Sequence, residues 1–213
     1  MASQKATSHE TLCVTLNNLA ANMGLDIYIG VDNEESIFTD EYHDDENGFF
    51  EKHSLSREFC NLMNRQHVVE HLPELDQIGK ITKVDISPLY QMEEYPNEEE
   101  IGFSIEYAET EEERQSIIEN AEMDKKKLTG NIDKVLSTIN NLLERLNNIN
   151  NLQELLIKTD FDSLNNAVYF SDFKIDKGQG YIGNNFGQDL RNFKRFLEYA
   201  KEKGVETIWF GYR

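Results

Sequence analysis

Cysteine is almost missing from this chain: Cys13 and Cys60 are the two among 213 residues. Two cysteines build no disulfide scaffold, so both are expected to be reduced thiols, as in a cytoplasm. Proline is scarce as well, with three residues, and together with abundant asparagine this argues against a thermophilic protein. No run approaches the roughly 18 apolar residues that a membrane span needs. Met1–Asn22 carries one lysine and no apolar block, so it does not read as a signal peptide. G-x-S-x-G, C-x-x-C and P-loop patterns are all lacking. The most uneven shortage is of positive charge. Residues 26–122 hold 27 acidic and 6 basic side chains, a net of −21, whereas residues 123–213 hold 12 and 14, a net of +2. A field this one-sided repels nucleic acid and anionic membrane and attracts basic surfaces.

What is present points to a folded chain. With 38% hydrophobic and 10% aromatic residues, it is not a disordered acidic tail. Thr7-x-x-Glu10 reads as a capping box before Leu12, Leu16 and Leu19, which makes residues 1–22 an N-terminal helical extension. Residues 23–213 read as a single α+β domain with a flexible loop at 91–100. Leu25–Val31 is a short strand, and Ser36–Thr39 is its candidate hairpin partner. Residues 40–53 form an acidic loop around the turn dipeptide Asn47-Gly48. Ser54 or Ser56 caps a helix bearing Leu55, Phe59, Leu62, Met63 and Val69, which Pro73 ends. Residues 81–86 are a candidate strand. Ile101, Phe103, Ile105 and Tyr107 alternate, which predicts a half-buried strand.

Residues 111–158 are helical in character, with weak points at Gly130 and at 147–151. Leu128, Ile132, Val135, Ile139, Leu142, Leu146 and Ile149 make a heptad seam about 33 Å long. The seam either packs inside the domain or joins two copies, so the expected state is monomer or dimer. The last 50 or so residues predict a β-α-β unit: a strand over 167–173, a Gly- and Asn-rich loop over 177–187, a helix face of Leu190, Phe193, Phe196, Leu197 and Ala200, and a strand over 205–210. The expected fold class is therefore α+β, a mixed sheet with a long amphipathic helix and a C-terminal β-α-β unit.

Three patterns carry candidate chemistry. His67-Val68-Val69-Glu70-His71 matches H-x-x-E-H, the inverted zinc-protease pattern. On a helix, His67 and His71 would share a zinc with Glu70 as general base. Glu144 or Glu154 would have to supply a further ligand, and Cys60 lies two turns away, about 10 Å along the axis. Histidines in a last helical turn also stabilise the helix dipole, and no bound metal or other cofactor is expected. Gly178-x-Gly180-x-x-Gly183 matches the dinucleotide fingerprint. Its helix should open at the third glycine, yet 184–187 intervene, and Asp189 would oppose a phosphate. Acid runs such as Asp44-Asp45-Glu46 lack EF-hand spacing and read as solvated surface. Cys60 reads as an inert thiol.

Met23-Gly24-Leu25-Asp26-Ile27-Tyr28 resembles the opening of small uncharacterised bacterial and phage proteins that begin MGLDIY. The resemblance implies that Met23 is the usual start, and that the setting is bacterial or a mobile element. It brings no activity and no site residues. The charge pattern gives the leading expectation: a non-enzymatic acidic protein that binds a basic protein partner, such as an immunity protein or a phage-type inhibitor that mimics nucleic-acid charge. Its candidate binding residues are Asp40, Glu41, Asp44, Asp45, Glu46, Glu98, Glu99, Glu100, Glu111, Glu112 and Glu113, with no direct nucleic-acid or membrane contact. The alternative is a small zinc-dependent hydrolase using His67, Glu70 and His71.

Overall fold

Ile27, Ile29 and Val31 recur with the period of two that a half-buried strand requires, and they form β1 (Ile27–Val31) with all three side chains buried. The computed structural model describes residues 26–67, 69–157, 166–176 and 182–212. The predicted extension at 1–22 lies outside them. β1 pairs antiparallel with β2 (Ile208–Tyr212), Ile27 opposite Tyr212 and Val31 opposite Ile208. On the outer face each glycine lies beneath an aromatic ring of the other strand. Trp209 covers Gly30 and Tyr28 covers Gly211, so a Cβ at either glycine would collide with ring atoms. Tyr95 completes the stack, 3.9 Å from Trp209 and nearly parallel to it.

The protein is mixed helix and strand, 59% helical with one small two-stranded antiparallel sheet among the described residues. The helices in chain order are α1 (Glu34–Ile37), α2 (Phe49–His53), α3 (Arg57–Asn64), α4 (Glu74–Thr82), α5 (Ser87–Gln91), α6 (Glu98–Glu106) and α7 (Glu111–Leu128). They continue with α8 (Ile132–Leu146), α9 (Leu152–Leu155), α10 (Asn166–Tyr169) and α11 (Phe186–Glu202). No helix among the described residues is long and apolar enough to cross a membrane.

α11 is the axis of the core. Asn185 caps it by accepting the Gln188 N–H at 2.8 Å. Gly204 (φ +84°) reverses the chain at its other end, and Val205 N–H closes on the Ala200 carbonyl at 3.0 Å. Leu190, Phe193, Phe196, Leu197 and Ala200 are all buried, as the helical spacing predicts. α11 packs on α8 and α2. Its polar side chains also satisfy the carbonyls that α2 leaves open at its C-terminus. Asn192 donates to the Ser54 and Glu51 carbonyls at 2.8 and 3.3 Å, and Arg195 to that of Lys52 at 3.1 Å.

The heptad positions Leu128 to Leu146 are buried within the chain, and Ile149 packs against the same core. The seam is thus an internal packing face of this chain. The breaks at Gly130 and at 147–151 fall as expected, between α7, α8 and α9. Several other expectations are corrected. Residues 166–169 are helical rather than a strand, and β2 pairs with β1 instead, so among the described residues there is no parallel β-α-β unit and no mixed sheet. Ser36–Thr39 is not a hairpin partner, because Glu34–Ile37 is the single turn α1. Residues 81–86 hold the end of α4 and a turn through Lys83 (φ +59°). Within 91–100 lie a 3-10 turn at Met92–Glu94 and the start of α6. Residues 101–106 are helical and Tyr107 is the C-cap, with no buried residue in α6.

Candidate functional site

The acidic residues singled out in the sequence occupy three elements. Asp40, Glu41, Asp44, Asp45 and Glu46 are all exposed on a run of turns between α1 and α2. The turns are held locally: Tyr42 N–H reaches Thr39 Oγ1 at 3.3 Å, Glu46 N–H reaches Asp44 Oδ1 at 3.0 Å, and Asn47 Nδ2 donates to the Glu41 carbonyl at 3.0 Å. Glu98, Glu99 and Glu100 form the first turn of α6, where the Asn97 side chain accepts from Glu99 and Glu100 N–H. Glu111, Glu112 and Glu113 form the first turn of α7, with Thr110 and Glu113 closing a reciprocal capping box. Carboxylates in a first turn also favour the positive end of the helix dipole, so both runs help to start their helices.

α6 and α7 pack on each other as a helical hairpin. Lys125 near the end of α7 pairs with Glu98 at the start of α6, at 3.3 Å. The hairpin contributes little to the core, since α6 buries no residue and α7 buries Leu128 alone. Over the whole hairpin, residues 98–128 hold 11 acids against four bases, Arg114 and Lys125 to Lys127. Apolar side chains stand open among them: Phe103 is 52% exposed, Tyr107 69%, Ile118 38% and Met123 59%. The Phe103 and Tyr107 rings contact each other at 4.5 Å. It is contiguous apolar patches, not single exposed residues, that mark interaction surfaces, and Phe103 with Tyr107 is the pair in contact here.

A second feature lies beside β1. A cavity of about 380 Å³ is lined by Asp26, Ile27, Tyr28 and Ile29, and by Phe38, Tyr42, His43, Phe50, His53, Ser54, Leu55 and Phe196. His53 is buried in an aromatic cage, with ring centroids 5.7 Å from Tyr42, 5.8 Å from Phe49 and Phe196, and 5.3 Å from Tyr199. Burial, then the charges of Arg195 and Lys52, push its pKa down to about 4, so the imidazole is neutral at pH 7. Its Nδ1 is enclosed and has no hydrogen-bond partner. The sequence reading does not anticipate this cavity. Its signal is the density of rings, since Phe38, Tyr42, His43, Phe49, Phe50 and His53 fall within 16 residues.

The H-x-x-E-H pattern loses the helix it needs. α3 stops at Asn64, a 3-10 turn covers Arg65–His67, and among the described residues no helix links that turn to α4, which begins after Pro73. Glu70 is exposed, Val68 lies outside the described residues, and the one-turn register between His67 and His71 is broken. What organises this region is a buried ion pair between Arg65 and Glu74. Among the described residues, no group of three His, Cys, Asp or Glu side chains is arranged to hold a metal ion. Cys60 is buried, and desolvation pushes its thiol up to about 12, which keeps it protonated and unreactive.

The glycine fingerprint fares no better. Gly178 and Gly180 lie outside the described residues, and α11 opens at Phe186, not at Gly183. Asp189, in the first turn, is fully buried and serves the fold. Its carboxylate accepts from Ser56 N–H at 3.0 Å, Ser56 Oγ at 2.5 Å, Tyr169 Oη at 2.8 Å and Asn184 Nδ2 at 2.8 Å. One side chain thereby ties the start of α3, α10 and α11 together. Desolvation raises its pKa to about 6 in spite of these bonds.

Comparison of the chain with family models, with curated proteins and with solved structures gives no match in any of the three.

Proposed function

We propose that this protein is a non-catalytic acidic interaction protein that docks on a basic protein partner, in the manner of an immunity protein or an inhibitor, and that the α6–α7 hairpin is its principal docking element. The observation that carries the reading is the hairpin itself. It gives the core almost nothing, yet it displays Phe103 and Tyr107 in contact with each other within a strongly negative frame. An aromatic pair supplies contact energy once desolvated, and the surrounding charge raises the encounter rate and selects cationic surfaces. The same field opposes binding to phosphate backbones.

The test uses the partner recovered from the native host by a crosslinker attached to the hairpin. Replacing Glu98, Glu99 and Glu100 by Gln is expected to weaken association about tenfold at low salt and to flatten its salt dependence, because screening shortens to about 8 Å at physiological ionic strength. Affinity and salt slope that stay unchanged, also after Glu111, Glu112 and Glu113 are neutralised, overturn the reading.

A further inference from the structure

At the Ile208 end, the two outer edges of the sheet are finished differently. Asp32 N–H donates to the Thr207 carbonyl at 3.1 Å, which fixes the parity of the ladder. By the period of two, Gly30 and Tyr28 turn their backbone groups toward β2, and Ile27, Ile29 and Val31 turn theirs outward. On the β2 side, the outward groups of Ile208 are taken by Asn131: its Oδ1 accepts the N–H at 2.9 Å and its Nδ2 donates to the carbonyl at 2.8 Å. On the β1 side, among the described residues, no hydrogen bond reaches the outward groups of Ile27, Ile29 and Val31. The cavity lies along this edge. Four consecutive residues, Asp26 to Ile29, line it. Three of them, Ile27 to Ile29, belong to β1, and because side chains of a strand alternate between faces, a cavity bordered by all three runs beside the strand.

We propose that this cavity is a groove for an extended segment of the basic partner, which adds to β1 as a third strand and seats one aromatic side chain against Phe38, Tyr42, Phe50 and Phe196. The inference rests on the basic-partner reading and adds to it a binding mode. Strand addition supplies main-chain hydrogen bonds to an open edge, and pockets beside it read side chains. Charge selects the occupant. Tyr42 and His43 in the cavity wall are carried on the turns that expose Asp40, Glu41, Asp44, Asp45 and Glu46, so a segment leaving the groove passes an acidic rim. A second copy of a chain with net charge −19 would be repelled there. The floor selects the anchor. Lys52 and Arg195 act on His53, which disfavours a cationic anchor. A volume of about 380 Å³ is at the small end of ligand cavities and suits one large ring.

The probe is a set of fluorescein-labelled octapeptides of alternating Lys, Thr and Val with the central residue set to Trp, Tyr, Phe, Leu, Lys or Ala. Binding to the full chain is read by anisotropy, and backbone protection by amide exchange. Aromatic centres are expected to bind at least about tenfold tighter than Ala or Lys centres. Amides of Ile27, Ile29 and Val31 should gain protection. N-methylation of peptide nitrogens on one edge should abolish binding, and on the other edge leave it intact. Phe50→Ala, at a half-exposed ring, should reproduce the loss with an unchanged circular dichroism spectrum. Indifference to the central residue, equal loss from both methylation patterns, or unprotected β1 amides would overturn the proposal. Neutralising Glu98, Glu99 and Glu100 must leave peptide binding unaltered. A partner that needs the hairpin while no peptide enters the groove sinks this inference alone, and peptide binding with a hairpin-indifferent partner sinks only the docking element proposed above.

Discussion

α11 and α6 are both capped by an asparagine side chain, and there the likeness ends. α11 buries ten of its 17 residues, polar and apolar alike, and holds the core together. α6 buries none of its nine. An isolated helix that short is marginal in water, so α6 depends on its cap, its first-turn carboxylates and its contact with α7. The comparison teaches where the molecule spends its sequence: core residues at the C-terminal end of the chain fix the fold, while the acidic hairpin is left with side chains that the fold does not use.

Hollowing out α11 should have the largest effect. Phe193 is fully buried and meets Phe59 and Phe210 at 6.1 and 5.6 Å between ring centroids. Phe193→Ala is expected to cost about 3–5 kcal/mol in urea-induced unfolding. A loss near zero would mean that α11 is not the centre of the core.

Next in size is Asp189→Asn. The amide keeps the shape but turns its NH₂ against donors that need an acceptor, and about 1–3 kcal/mol should be lost at pH 7. The pH profile carries a sign. A carboxyl whose folded pKa of about 6 lies above its ordinary 3.8 contributes most stability below pH 3.8 and loses it as pH rises through 6. His53, lowered from 6.5 to about 4, contributes above pH 6.5 and loses that stability as pH falls through 4. Between pH 4 and 6 the two oppose each other. The Asp189→Asn variant should therefore lose stability on acidification more steeply than the parent, as read from urea midpoints at pH 4.5 and 7. Parallel profiles would remove Asp189 as the source.

Smallest are the hairpin changes. Thr110→Ala removes the α7 cap and should cost about 1 kcal/mol locally, seen as faster amide exchange in residues 111–114. Phe103→Ala should stay within about 0.5 kcal/mol of the parent in unfolding. A large global loss from Phe103→Ala would place the hairpin in the core and erase the contrast with α11.

How much of this is legible in sequence follows from the same contrast. The α11 face, the Gly204 stop and the 128–149 seam are readable because burial on one side imposes a helical period. α6 misleads for the opposite reason. With no buried face, its apolar residues are free of that period, and Ile101, Phe103, Ile105 and Tyr107 happen to alternate. The corrective signal is local, Asn97 followed by three glutamates, a helix start by its chemistry. The pairing of β1 with β2 is invisible to any window, because the strands lie near opposite ends of the described chain. The acidic residues are plain in the sequence, but their division among a turn and two helix starts is not. The groove needs Phe196 from α11 beside rings from 38–53, a juxtaposition that only tertiary structure creates.

The register of the sheet also bears on how the chain folds. Ile27 meets Tyr212 across almost the whole sequence, so the ladder closes a very long loop before it returns any contact energy. Helices such as α8 and α11 form from local contacts and can dock early. The sheet must wait for them, and Asn131, poised at the start of α8, offers β2 a template once it arrives. Folding should then show a fast helical phase and a slower one reported by Trp209, the single tryptophan, as Tyr95 stacks upon it.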